Sequence, residues 1–269
     1  MTVGEALLVG GGLALLASVV VMAVTAVVAR AQGRVVVVDT AWGLDLFSIA
    51  LLTSVVATIG GHGVWWRTWL VTAAVALWAF RLARHMVRRD TGDEDPRYEK
   101  LLGGPLAQVG LGVAIRKVFA MQGVAAAVVA MPVAAGVLSD VRWIWPVAVG
   151  LGVWAIGLFF EALGDAQLAA YRARPRDDRP QVLDTGLWRY TRHPNYFGDA
   201  CVWWGLWAAA ALSSGWALGA ATLVAPLAMT YFLVRTTGAG LLEKTMMQRP
   251  GYPEYAARTS RFVPLPPRS

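Results

Sequence analysis

Seven apolar runs punctuate the chain, at 5–29, 43–61, 65–83, 118–138, 143–163, 200–213 and 216–234. Crossing the hydrocarbon core of a bilayer as a helix takes about 20 such residues, and six of the runs meet or nearly meet that length. The sixth, 200–213, is short, and reads as tilted, broken or extended backwards into 196–199. Lipid offers backbone N–H and C=O groups no partner, so spanning segments must satisfy their own hydrogen bonds as helices. The expected fold is therefore an all-α integral membrane protein, one transmembrane domain over 1–269 with about seven transmembrane helices. Composition agrees, since only 15% of residues are charged and 57% are hydrophobic, against about 25% charge in a soluble domain.

Lysine and arginine give the orientation. Of 24 such residues, 21 fall in four longer polar segments: two in 30–42, seven in 84–117, six in 164–195 and six in 235–269. The short connections near 62–64, 139–142 and 214–215 are flanked only by Arg67 and Arg142, and Arg81 lies within the third run. Basic loops stay on the cytoplasmic side, which puts the N-terminus outside and the C-terminus in the cytoplasm. Trp65, Trp66, Trp69, Trp143 and Trp145 gather at the expected outer ends, where amphipathic rings prefer the headgroup level. The net charge of +7 follows from those cytoplasmic loops, and no nucleic-acid partner is expected. Cys201 is the single cysteine, so no internal disulfide can form. Residues 5–29 lack a basic n-region and a small-residue cleavage site, and read as a retained helix instead of a signal peptide.

Ionisable residues in or beside spanning segments are costly and mark functional candidates. At the end of the fifth run Glu161, Asp165, Leu168 and Arg172 recur at i, i+4, i+7 and i+11, one face of a continuing helix. Two carboxylates and a guanidinium on one stripe suit ribose hydroxyls and a phosphate; they suit equally an ion pair that only orders the bundle. A second cluster, Arg192-His193-Pro194-Asn195-Tyr196-Phe197-Gly198-Asp199, precedes the sixth run. Asn195 is placed to cap the helix that follows, and a helix N-terminus beside Arg192 and His193 would attract an anion. An interfacial anchor explains Arg189 and Tyr190 as well, but leaves Asp199, just inside the apolar run and one turn before Trp203, without a role.

Weaker signals lie in the N-terminal half. Asp39, Trp42 and Asp45 open the second helix, and Arg81, Arg84, His85 and Arg88 form a stripe at the inner end of the third. Asp39 reads as a cap, and Arg84 and Arg88 as snorkelling to lipid phosphate; Asp45 and Arg81 sit deeper in apolar sequence. His62 reads as a loop residue. No Walker loop, GxGxxG or metal-spaced Cys/His set occurs.

With VDTAWGL at 38–44, ALWAFRLARH at 76–85, EDPRY at 94–98, FEALGDAQL at 160–168, DTGLWRYTRHPNYFGDACVWWG at 184–205, LLEKTMMQRPGYPEY at 241–255 and RTSRFVPLPP at 258–267, the chain resembles the steroid 5-alpha-reductase C-terminal-domain family, in particular its bacterial branch of largely uncharacterised function. The resemblance implies an NADPH-dependent reductase in a bacterial inner membrane, with a cofactor-binding half over about 116–269 open to the cytoplasm. It would reduce an activated carbon–carbon double bond in a small lipophilic substrate entering from the lipid bilayer. Cofactor contacts are implied at Asp165, Arg172, Asn195, Asp199 and Arg235, with Glu161 where the family has Asn. Arg192, His193, Tyr196 and Glu243 complete the cofactor-binding set. The family's catalytic tyrosine on the third helix has no counterpart between 65 and 86, and Trp78 aligns nearest. Asp45, kept protonated by burial, or Arg81 is then expected to stabilise the developing oxyanion. RHPNY-type sequences also occur in isoprenylcysteine carboxyl methyltransferases and sterol C14 reductases, so an S-adenosylmethionine-dependent methyltransferase is one alternative. A non-catalytic lipid-binding protein is another.

Overall fold

The computed structural model describes residues 1–236 and 238–268, among which there is no strand. The main helices are α1 (Val3–Gln32), α2 (Val37–Ile59), α3 (Trp65–Arg89), α4 (Pro96–Leu102), α5 (Leu111–Val137), α6 (Trp145–Ala173), α7 (Pro194–Ala210), α8 (Trp216–Arg235), α9 (Ala239–Met246) and α10 (Tyr252–Arg258). Of the described helices, α1, α2, α3, α5, α6 and α8 are long and apolar enough to cross a membrane. The sixth apolar run does extend backwards, to Pro194, yet α7 has only 17 residues. Its rise of about 25 Å falls short of a hydrocarbon core of about 30 Å. On α1 the side chains of Leu8, Leu16, Val19 and Val27 are more than half exposed, a surface that calls for lipid and not water.

Local chemistry sets the helix ends. Thr2 and Glu5 form a reciprocal capping box at the start of α1, and Gly33, at φ 73°, closes its end in the left-handed region. The segment 30–42, expected as a long polar loop, is mostly helical, because Glu94 supplies the cap that the local sequence lacks. Its carboxylate accepts the backbone N–H groups of Val35 and Val36 just ahead of α2. Asp39 is consequently no cap: it lies within the first turn of α2 and accepts a hydrogen bond from Tyr98 and another from Arg97. Asp95 caps α4, with Pro96 in its first turn.

Two compact units emerge. The first comprises 1–147 with 206–225, and at its heart α2 packs on α1, α3 and α5, and α1 on α5. Small residues allow the close approach: a Cβ on Gly10 would sit 3.0 Å from the Ala134 carbonyl carbon, and one on Gly43 would sit 3.1 Å from the Ala79 oxygen. Ser54 and Thr72 share a hydrogen bond of 2.6 Å between α2 and α3. Arg67, fully buried, donates to the carbonyls of Gly136 (2.6 Å), Ser139 and Ala210 (2.7 Å) and to the hydroxyls of Ser213 and Ser214. One guanidinium thus clasps the C-terminal ends of α5 and α7, where unsatisfied carbonyls and the negative end of each helix dipole accumulate. The second unit comprises 148–205 and 226 onward.

Candidate functional site

In the second unit the geometry begins with glycine. Gly150, Gly157 and Gly164 on α6, and Gly198 and Gly205 on α7, recur every seven residues. A Cβ on Gly157 would lie 2.5 Å from the Gly198 oxygen, one on Gly164 3.1 Å from the Pro194 ring, and one on Gly205 would collide with the Gly150 oxygen. The helices are therefore antiparallel and in near backbone contact, with a seven-residue seam of the kind that keeps two helices facing one another.

This register brings the polar residues of α6 and α7 together. Asn195 Nδ2 donates to Asp165 Oδ1 at 3.0 Å, and Glu161 lies against Gly198. Glu161 and Asp165 are buried, while Asn195, Tyr196 and Asp199 are half-buried. Asn195 does not cap α7. The helix starts at Pro194, one residue earlier, because proline is favoured in a first turn that needs no N–H donor. Inside that turn the Asn195 Oδ1 accepts the N–H of Tyr196 at 3.1 Å.

Arg192 and His193 are directed to the C-terminal segment. Arg192 Nε donates to Glu243 Oε1 at 2.7 Å and Nη2 to Oε2 at 3.3 Å. Its Nη1 donates to the carbonyls of Ala256 and Thr259, both at 2.7 Å, closing the end of α10. His193, 3% exposed, approaches Glu243 through Nε2 at 3.1 Å and stacks on the Tyr196 ring at 5.3 Å. Burial holds the His193 imidazole below its ordinary value despite the attraction of Glu243. Burial pushes the Glu243 carboxyl up, but hydrogen bonds from His193 and Arg192 outweigh it and hold the group at about 2. Burial, then the neighbouring Glu243 charge, push the Tyr252 hydroxyl up to about 12. Trp188 Nε1 donates to the Gly164 carbonyl at 3.1 Å, and Tyr255 donates to the Trp188 carbonyl, completing the frame. Gly186, at φ 61°, leaves room for the Gln167 side chain that accepts the Leu187 N–H.

Arg172 is exposed in the last turn of α6, and Arg235 is exposed at the end of α8. Arg179 Nη2 donates to the Arg172 and Arg174 carbonyls, capping α6. The remaining two candidates belong to the first unit. Asp45 is fully buried and accepts the Ser18 hydroxyl on Oδ1 at 3.0 Å, while Oδ2 has no hydrogen bond among the described residues. Arg81 is half-buried one turn beyond the fully buried Trp78.

A family profile described as "Protein of unknown function (DUF1295)" matches residues 25–259. The chain belongs to this family. No curated protein and no solved structure matches it significantly. The DUF1295 match runs from the last turns of α1 through α10, so it takes in the glycine seam, the Asp165–Asn195 pair and the Glu243 cluster alike.

Sequence reasoning missed the glycine seam, the Arg67 clasp and the roles of Tyr98, Tyr252 and Tyr255. The seam carried a readable signal, a glycine every seventh residue in two neighbouring apolar runs. The clasp carried none, since its acceptors are mostly main-chain oxygens.

Proposed function

We propose that this DUF1295 protein is a membrane reductase that binds NADPH along the polar face of α6 and α7 and reduces an activated carbon–carbon double bond in a lipophilic substrate. The observation that carries the reading is the Asp165–Asn195 hydrogen bond on a glycine-zipped helix pair, with Glu161 buried beside it. Paired carboxylates accept ribose hydroxyls, the Asn195 amide has a second donor hydrogen, and Arg172 and Arg235 supply exposed guanidiniums for phosphates. The resemblance to the steroid 5-alpha-reductase C-terminal-domain family supports the same set of residues. Hydride transfer is the chemistry that the nicotinamide supplies when bound. The chain's part is to orient it, exclude water and stabilise charge developing on the substrate oxygen, for which Asp45 and Arg81 are the proposed donors.

The proposed topology has seven spans, with α7 as the short sixth, the N-terminus outside and the C-terminus in the cytoplasm. Reporter fusions after residues 100, 180 and 269 should all read as cytoplasmic, and an external signal at any of them refutes the scheme.

Methyl transfer from S-adenosylmethionine is a second reading, favoured by one observation. Four of the five donor hydrogens of Arg192 are spent on Glu243 and the end of α10. The face around Glu161, Asp165 and Asp199 is correspondingly rich in carboxylates, which suits a sulfonium. Arg172→Ala separates the two. A charge-assisted contact contributes about 1.5–3 kcal/mol, so the NADPH dissociation constant should rise on the order of tenfold to a hundredfold. Unchanged NADPH affinity in this variant removes the phosphate argument.

A further inference from the structure

Two motifs, VDTAWGL and EDPRY, are left unused by the proposed site, and they meet at one cavity. It lies within the first unit at the ends of α1, α2 and α3 where the 33–36 and 89–96 connections run, and encloses about 480 Å³. Small-molecule sites occupy about 300–1,000 Å³. Its floor is apolar, formed by Val24 and Val28 of α1 and Leu44 of α2, with Val87 of α3 at the rim. Val24, Val28 and Val87 are also 59%, 38% and 62% exposed, so the apolar side opens onto the surface that faces lipid.

The mouth is polar and held in place. Glu94 is fixed by the N–H groups of Val35 and Val36, Asp39 by Tyr98, and Asp95 by Arg97. Two groups of opposite charge stand at the mouth outside this lattice, Asp93 and Arg89. Both are exposed, and neither forms a hydrogen bond or ion pair among the described residues. Around them stand the carboxylates of Asp39, Asp90, Glu94 and Asp95 against two cations, Arg34 in the lining and Arg97 paired to Asp39 and Asp95, so the mouth is acidic on a chain whose net charge is +7.

We propose that this cavity binds a zwitterionic phospholipid with a primary ammonium headgroup, its phosphate at Arg89, its ammonium at Asp93 and an acyl chain along the valine and leucine floor. An apolar floor open to lipid accepts an acyl chain without desolvating any polar group, whereas a polar metabolite would leave its polar groups unpaired there. The surplus of carboxylates repels a lipid of net negative charge. A primary ammonium donates hydrogen bonds that carboxylates accept, whereas a quaternary ammonium has no N–H to give. The proposal shares no residue with the NADPH site and stands or falls separately.

Native mass spectrometry of the full-length protein, delipidated in detergent and offered equimolar phosphatidylethanolamine, phosphatidylcholine and phosphatidylglycerol, tests it. Retention should follow that order, and Asp93→Asn should reduce the preference for phosphatidylethanolamine over phosphatidylcholine by roughly two- to fivefold. Leu44→Trp fills the floor and should abolish retention; Val87→Trp, at the exposed rim, does the same with less demand on the fold. Each tryptophan variant is scored only if it unfolds at the wild-type temperature, and Asp93→Asn provides the reading if neither does. Phosphatidylglycerol retained as well as phosphatidylethanolamine overturns the proposal. So does retention of phosphatidylethanolamine by a folded tryptophan variant, or an unchanged preference in Asp93→Asn.

Discussion

Replacing Arg67 with Met keeps the length of the buried stem and deletes the guanidinium. In the wild type that group satisfies three carbonyls, from Gly136, Ser139 and Ala210, and two serine hydroxyls. Hydrogen bonds from a charged donor are worth about 1.5–3 kcal/mol each, so a naive sum is large. Most of it is offset by the several kcal/mol that desolvating the cation itself costs. The relevant quantity is what the deletion leaves behind. Ser213 and Ser214 keep other partners through bonds to Ala209 and Ala210 carbonyls. The Ser139 carbonyl loses its donor at the end of α5, at about 1–3 kcal/mol for a buried acceptor left unpaired, while the Gly136 carbonyl loses a charged donor but keeps the Ser139 N–H. The expected destabilisation is about 3–5 kcal/mol, in line with removing one member of a buried charged network. Thermal unfolding of the purified protein in detergent should show a loss on the order of 10 °C. Arg67→Lys, with three donors for five acceptors, should fall between the two. An Arg67→Met melting temperature within about 2 °C of wild type refutes the idea that this residue ties α5 to α7.

The glycine seam predicts opposite outcomes for the same substitution on one helix. Gly157→Ala forces a methyl to within 2.5 Å of the Gly198 oxygen and should destabilise by about 1–3 kcal/mol while weakening any ligand held by Asp165 and Asn195. Gly152→Ala meets nothing within 4 Å and should stabilise by about 0.5–1 kcal/mol; equal unfolding temperatures for the two variants contradict the seam. The His193 cluster predicts a pH dependence. Because burial lowers the His193 value, its contribution is fully present above the unfolded value of about 6.5 and is lost as pH falls below it through the lower folded value. Glu243, held at about 2, stays ionised across that window. Unfolding temperature should therefore drop as pH falls below about 6.5, and the slope should flatten in His193→Gln; an equally steep slope in that variant assigns it to another group.

Helical periodicity made much of this legible. Six of the seven apolar runs correspond to long helices, and the Glu161–Arg172 stripe lies on one continuous helix as its spacing implies. Tertiary partners decided the rest. The cap of α2 comes from Glu94, almost sixty residues away in the chain, so 30–42 looks like a loop when read alone. Asn195 lies two residues past the cap position because Pro194 opens the helix, a boundary shift that local sequence rarely resolves. Arg192 beside a helix start suggests an anion site, yet its partners are Glu243 and the carbonyls of 256 and 259. Arg67 looked like an ordinary outer-loop cation since nothing near it in sequence announces the carbonyls that surround it.

Isothermal titration of the purified full-length protein with NADPH, NADH and S-adenosylmethionine tests the central claim most directly. The account predicts saturable binding of NADPH at one molecule per chain, abolished together by Asp165→Ala and Asn195→Ala while Gly152→Ala leaves it intact. Saturable binding of S-adenosylmethionine alone, or of none of the three, contradicts it.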